Sequence, residues 1–196
     1  MKIFSTYAMA LCLLLACFRS GAQRLKLSDG SLSALKDEKA MNVIFVYENM
    51  KVGKYDKEED YVASKKAEYN KKEPGKGDTW AKNWVSDRDS RYEPKFIELF
   101  EKSSDMSVKK DAKYTLIFKT NFTEPGFNIG IMRKNAEINA EAWVVETADQ
   151  SKAIAKITVQ KALGRTFGGY DFDTGERIAE AYADAGKALG SFVKRQ

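Results

Sequence analysis

The chain of 196 residues has no histidine, three prolines and two cysteines. The absence of histidine removes the commonest general base and the commonest zinc ligand. Both cysteines, Cys12 and Cys17, lie in an apolar N-terminal stretch, so a domain that begins after it has no disulfide, thiol nucleophile or thiolate metal site. We therefore expect no metal and no cofactor, and a fold that depends on its apolar core.

The composition is that of one globular domain with a modest positive charge. Apolar residues make up 43% of the chain and charged residues 31%, which fits a packed core and excludes a disordered chain. The formal net charge of +5 is too small to produce the field of a nucleic-acid-binding protein. The sequence therefore predicts no nucleic-acid partner.

The N-terminus has the pattern of a secretory signal peptide over residues 1–22. Lys2 gives a positive start, an apolar stretch from Ile3 to Phe18 follows, and Ser20 and Ala22 are the small residues before a cut at Gln23. The apolar stretch is shorter than the roughly 20 residues that a membrane-spanning helix needs. We expect export to the periplasm or to the outer membrane.

A second interpretation of the same segment stays open. Residues 14–17 read LLAC and resemble the bacterial lipobox, in which the cysteine becomes the lipid-bearing first residue. Lipidation of Cys17 would tether the domain to a membrane face without inserting it. The chain lipidated at Cys17 would contact the membrane through its lipid anchor, and we expect no other contact with the membrane.

The rest of the chain is predicted to be one α/β domain over 40–196, with a polar tether over 23–39. A continuous β-branched and apolar run within 40–50 (VIFVY) is typical of a strand buried on both faces. Residues 51–104 are charged and predict a helical insert, in which Pro94 opens the last helix. The apolar face of the first of these helices is thin, because Lys65 follows Tyr61 at the position where an apolar residue would continue that face.

Three alternating segments and a closing helix complete the pattern. Residues 113–122, 137–145 and 152–160 alternate apolar and polar side chains, and the last two are close enough to form an antiparallel hairpin. Asp173 and Glu176 fit a capping box ahead of an amphipathic helix. The expected fold is α/β (α+β): a single mixed sheet in the order strand, helices, strand, strand, strand, helix, with helices packed on the sheet.

The closing segment, 168–190, resembles the last helix of uncharacterised exported proteins of Gram-negative bacteria. An alternating hairpin before that helix is also similar to envelope domains of the curli-secretion and TolB N-terminal type. The resemblance covers about residues 110–195, and the insert at 51–104 departs from it. It implies a periplasmic interaction module, with no functional residue to carry over.

Two segments are candidate contact surfaces. The segment 126–132 is unusually apolar for a connection between strands; its side chains either continue a strand or pack on a partner. Trp80, Trp84, Arg88 and Arg91 bring aromatic rings and guanidinium groups together, as sugar and peptide platforms do, or they form a buried helix face. The apolar side chains of the first segment are Phe127, Ile129, Ile131 and Met132.

The absence of histidine, of cysteine beyond residue 17 and of any catalytic motif favours a non-catalytic binding or assembly module of the bacterial cell envelope. Its partner would be an envelope protein or a second copy of the chain. The alternative is a carboxylate-dependent hydrolase that acts on envelope glycans, which requires a convergent pair of acids in a cleft beside Trp80 or Trp84.

Overall fold

A computed structural model describes residues 23–129, 132–165 and 174–195 of the chain. The signal-peptide segment, Cys17, Ile131 and Asp173 lie outside these ranges. The strands and α-helices of the described residues are, in chain order, β1 (Arg24–Gly30), β2 (Ala40–Val46), β3 (Lys51–Val52), α1 (Glu58–Lys72), α2 (Lys76–Asp87), α3 (Glu93–Ser104), β4 (Ser107–Val108), β5 (Tyr114–Glu124), β6 (Phe127–Ile129), β7 (Met132–Lys134), β8 (Ala136–Glu146), β9 (Asp149–Gly164) and α4 (Thr174–Lys194).

The main sheet is mixed and has the order β1-β9-β8-β5-β2-β4, with β3 paired to the far end of β5. Strand β2 runs parallel to β5 across the helical crossover, and β5, β8, β9 and β1 pair antiparallel. The predicted fold class, a mixed α/β sheet with helices packed on it, is confirmed. The predicted hairpin of the second and third alternating segments is the pair β8–β9.

Helices α3 and α4 pack on the same face of the sheet. The rings of Phe45 (β2) and Phe118 (β5) meet that of Phe96 (α3), with centroids 5.2 and 4.7 Å away, and Phe118 also meets Tyr182 of α4 at 5.9 Å. On the other face, Ile44 pairs with Ile117 across the ladder, and both are half-buried. The prediction that the first strand is buried on both faces is therefore wrong, because Met41 is its one buried residue and the other six are half-buried.

Helices α3 and α4 cross at backbone contact. A Cβ atom added to Gly186 would lie 2.3 Å from the Phe96 carbonyl oxygen, and one added to Gly190 would lie 2.6 Å from that of Phe100. The two glycines are one helical turn apart and so open a continuous slot on α4. This slot lets α3 sit against α4 with Phe96 and Phe100 fully buried.

The predicted tether over 23–39 is also wrong. Strand β1 pairs antiparallel with β9, and Leu25 and Leu27 stand opposite Val159 and Ile157. Farther along, Leu32 and Leu35 are buried in the core. In β1 the leucines alternate with polar residues. The leucines therefore lie on one face of the strand and pack against the core, although most residues of the strand are hydrophilic.

The described residues of the segment 126–132 do not continue β5. Within the described chain, strands β6 and β7 pair with each other alone, as a two-stranded ribbon outside the main sheet. Gly126 starts the ribbon with a φ of 68°, and a Cβ atom there would lie 2.5 Å from the Lys134 carbonyl oxygen. The ribbon is therefore folded back tightly at its base.

No helix within the described ranges combines the length and the apolar character that crossing a membrane requires.

Replacement of Gly186 by alanine is expected to lower the free energy of unfolding by about 1–3 kcal/mol, because the new methyl group overpacks against the backbone of Phe96. Alanine by itself favours a helix by up to about 1 kcal/mol over glycine, so a loss of stability has to come from the contact. Chemical denaturation measures it. Lys187→Ala on the exposed side of α4 is the control and should change stability by about 0.5 kcal/mol at most; a stabilised Gly186→Ala variant would contradict the close crossing.

Candidate binding groove

A groove of about 600 Å³ lies between α1 and the β6–β7 ribbon. Tyr61, Lys65 and Tyr69 line its α1 side at successive turns of the helix. This is the face that looks thin in the sequence. Lys65 interrupts it because the face borders an open groove and only Tyr61 is buried there.

The opposite wall is the turn from β5 into the ribbon. Phe127 and Ile129 point into the groove from β6, next to Pro125 and Gly126. The buried Arg177 of α4 fixes this turn: its Nε donates to the Pro125 carbonyl oxygen at 3.3 Å and its Nη2 to that of Gly126 at 3.4 Å. The apolar ribbon is therefore anchored to the longest helix of the described chain.

A cluster of aromatic rings joins the groove to the α1–α2 hairpin. Tyr61 contacts Tyr55, Trp80 and Trp84, with centroids 5.8, 5.8 and 5.0 Å away, and Trp80 contacts Tyr69 at 5.7 Å. Two further surface hollows flank the cluster. Trp80 borders both of them: one, of about 470 Å³, includes Trp84 and Arg91, and the other, of about 650 Å³, includes Tyr69.

The groove is lined mainly by positive charge. Its charged residues are one acid, Glu124, and four bases: Lys54, Lys65, Lys134 and Arg177. Glu124 already accepts a hydrogen bond from Lys134 at 2.6 Å. The groove therefore favours a partner with apolar or aromatic groups and no positive charge.

At the edge of the groove on α1, Glu68 binds two lysines beside the ring of Tyr69. It accepts hydrogen bonds from Lys72 and Lys65, which lower the pKa of its carboxyl to about 2. The two ammonium groups lie 5.5 and 5.6 Å from the centre of the Tyr69 ring. The Glu68 carboxylate therefore stays ionised at neutral pH and holds the two lysines beside the aromatic cluster.

One carboxylate, that of Glu58, fixes Trp84 at the side of the aromatic cluster away from the groove. Glu58, the first residue of α1, accepts hydrogen bonds from Trp84 Nε1 at 2.6 Å and from Arg88 at 2.5 Å. The Arg88 guanidinium also lies 4.4 Å from the centre of the Tyr47 ring, just after β2. Burial raises the pKa of Tyr47, so its hydroxyl stays protonated and donates to Glu93 at 3.2 Å. This chain of contacts connects α1, α2 and the edge of the sheet.

The structure brings the two predicted contact segments to the same side of the molecule. Phe127 and Ile129 line the groove, and Trp80 contacts Tyr61 and Tyr69, which line the groove on the α1 side. The cross-strand pair Ile129–Met132 is exposed, at 58% and 60%. A role of these residues in binding stays a prediction.

The two arginines have intramolecular partners. Arg88 is paired with Glu58, and Arg91 with Asp87 one helical turn earlier, at 3.2 Å. Trp84 is buried, as expected of a helix face that packs inward, whereas Trp80 is half-buried. Of these four residues, Trp80 offers the most ring surface to a partner.

Sequence reasoning missed the tyrosines of the groove and Arg177. The spacing of Tyr61 and Tyr69 on one helix face was a usable signal, since rings eight residues apart in a helix lie on the same side. No local pattern marks Arg177, which reaches carbonyl groups more than 50 residues away.

The hollow beside Trp80 and Trp84 contains one described carboxylate, Asp87, which is paired with Arg91. Among the described residues, no group of three or more acids, histidines or cysteines is placed to hold a metal ion. The hydrolase hypothesis requires two convergent acids in this hollow and stays a prediction without that support.

Comparison with known proteins gives structural neighbours only. No family model matches the chain, and no curated protein matches it. Two crystal structures of the PelC dodecamer from Paraburkholderia phytofirmans, one of them a point variant, each align with a TM-score of 0.38. The variant is 11% identical, and the alignment covers 83% of this chain and 97% of that chain; the other is 10% identical, with 83% and 96% covered. At this similarity the likeness carries no argument about function or assembly.

Replacement of Glu58 by glutamine is expected to lower the free energy of unfolding by about 1.5–3 kcal/mol, because the half-buried Arg88 loses its charged partner. Glutamine keeps an oxygen that can accept from Trp84, so the change isolates the ion pair. Thermal and chemical denaturation measure it. The control is Asp56→Asn, which breaks the solvent-exposed pair with Lys51 and should leave stability nearly unchanged. Equal effects of the two variants would show that Glu58 does not fix the helical hairpin.

Proposed function

We propose that this chain is a non-catalytic binding module of the bacterial cell envelope and that it contacts its partner through the ribbon and the groove. The observation that carries the proposal is the exposed pair Ile129–Met132 at the end of the β6–β7 ribbon. The described chain has three large apolar side chains that are exposed, and two of them form this pair.

Exposure of this pair has a free-energy consequence. Burial of a side chain such as Ile or Met is worth roughly 1.5–3 kcal/mol relative to exposure in water. The ribbon pairs with no other strand of the described chain, and the exposed side chains of Ile129 and Met132 are available to a partner. The groove beside it adds tyrosine rings, which supply contact area and a polar hydroxyl at little cost in conformational entropy.

Anchoring of the ribbon supports a binding role over a merely loose surface hairpin. Arg177 and Gly126 fix its base, and Lys134 is paired with Glu124 across it. A contact surface that is already held in place loses little freedom on binding. The apolar end of the ribbon is therefore presented in one orientation.

Export is the second part of the proposal. It is supported by the signal-peptide pattern of residues 1–22 and by the resemblance to exported α/β interaction modules of Gram-negative bacteria. The partner would then be an envelope protein, with the lipid anchor at Cys17 as the alternative way of holding the module at a membrane.

The double variant Ile129→Asp, Met132→Asp tests the binding surface. It should abolish capture of the envelope partner in cross-linking and pulldown from envelope extracts, because two charges would have to be desolvated in the contact. Its melting temperature should stay unchanged, since both side chains are exposed.

The control is Val85→Asp on α2, which alters an apolar side chain of similar exposure, 53%, outside the groove and its ribbon. Capture should persist in this variant. Equal loss of capture with Val85→Asp, or full capture with the double variant, would refute the assignment of the surface.

The intact mass of the chain purified from cells tests export. A chain that starts at Gln23 is the expected product of cleavage, and an acylated chain that starts at Cys17 is that of lipidation. Fractionation of the cells gives the location. A cytoplasmic chain that keeps residues 1–16 would contradict both forms.

A further inference from the structure

The two long edges of the main sheet are built in opposite ways. On one edge, β1 carries Arg24 and Lys26, and its register to β9 is irregular between Leu27 and Asp29. Charge and irregular pairing are devices that block the addition of a further strand. On the other edge, β2 has no charged side chain, and neither do residues 40–47 as a whole.

The free part of the β2 edge is short and has defined limits. Strand β4 pairs with β2 only at Ala40 and Met41, and β2 ends at Val46. Within the described chain no strand pairs with the outer side of Asn42–Val46. All five residues are half-buried, which fits a strand at a sheet edge.

The backbone groups that point outward follow from the contacts of β4. Lys39 and Met41 present their carbonyl oxygens to the amides of Ser107 and Lys109. Peptide groups alternate along a strand, so the next outward-pointing residues are Val43 and Phe45. Each offers one N–H and one C=O on the free side of β2.

This arrangement is symmetric about Ile44, the middle residue of the free segment. Rotation of a second copy about a two-fold axis at Ile44 places Val43 opposite Phe45 of the other chain, and Phe45 opposite Val43. The two residues of each pair then exchange two N–H···O=C hydrogen bonds, as in a hydrogen-bonded pair of an antiparallel ladder. All four outward donors and all four outward acceptors of the two segments are then used.

We infer that the free segment of β2, Asn42–Val46, pairs antiparallel with the same segment of a second copy of the chain, to form a two-fold dimer with one continuous sheet. The occupant is a second copy because the segment is self-complementary and brings no like charges together. The blocked β1 edges form the two outer ends of the joined sheet, so that assembly stops at the dimer.

The proposed register predicts which cysteines can form disulfides. The full chain with Cys12→Ser and Cys17→Ser has no thiol of its own. In this cysteine-free background, Ile44→Cys should give a disulfide-linked homodimer on mild oxidation. The two copies of residue 44 would face each other as a non-hydrogen-bonded pair, whose Cα separation suits a disulfide. Asn42→Cys and Val46→Cys should each give no disulfide-linked dimer alone, because residue 42 faces residue 46 of the other copy, and they should form a disulfide-linked heterodimer when mixed.

The matched control is Lys26→Cys on the blocked β1 edge, which should not cross-link. Sedimentation velocity of the unmodified chain should show a concentration-dependent dimer. Ile44→Lys should abolish the dimer, because two like charges would meet at the two-fold axis, while its circular dichroism spectrum stays that of a folded chain. Linkage of Asn42→Cys to itself, equal linkage at Lys26→Cys, or a chain that is monomeric at every concentration would each overturn the proposal. The last result would leave the edge to an extended peptide of another protein.

Discussion

The position of the helical hairpin α1–α2 depends on the carboxylate of Glu58. It accepts hydrogen bonds from Trp84 of α2 and from Arg88 just beyond it, and Arg88 in turn lies on the ring of Tyr47 beside the sheet. The side chains of Glu58 and Arg88 are 16% and 19% exposed, so the ion pair is weakly screened by solvent. The wall of the groove that carries Tyr61 and Tyr69 is held in place through this contact.

The other wall depends on α4. This helix is fixed on one side by the backbone contact of Gly186 and Gly190 with α3, and it holds the ribbon through Arg177 on the other. The groove is therefore formed between two parts of the chain that are each anchored to the same core. Neither the hairpin nor the ribbon has a large core of its own, which explains why both rely on buried charged or polar contacts.

The sequence predicted the fold class because β5, β8 and β9 alternate with the period of two that a half-buried strand requires. It missed β1, where two leucines among polar residues were too weak a pattern. It predicted the apolar segment 126–132 and the Trp80–Trp84 pair as surfaces, but it could not place them side by side. That proximity depends on contacts such as those of Glu58, which link residues 26 and 30 positions apart, and such contacts have no local signature.

Site-specific photo-cross-linking in intact cells tests the central claim most directly, namely that one partner contacts both walls of the groove. A photoreactive amino acid would be placed at Ile129, at Tyr69 and, as a surface position outside the groove, at Val85. The account predicts the same cross-linked partner from Ile129 and Tyr69 and none from Val85. Different partners from the two walls, or no product from either wall, would contradict it.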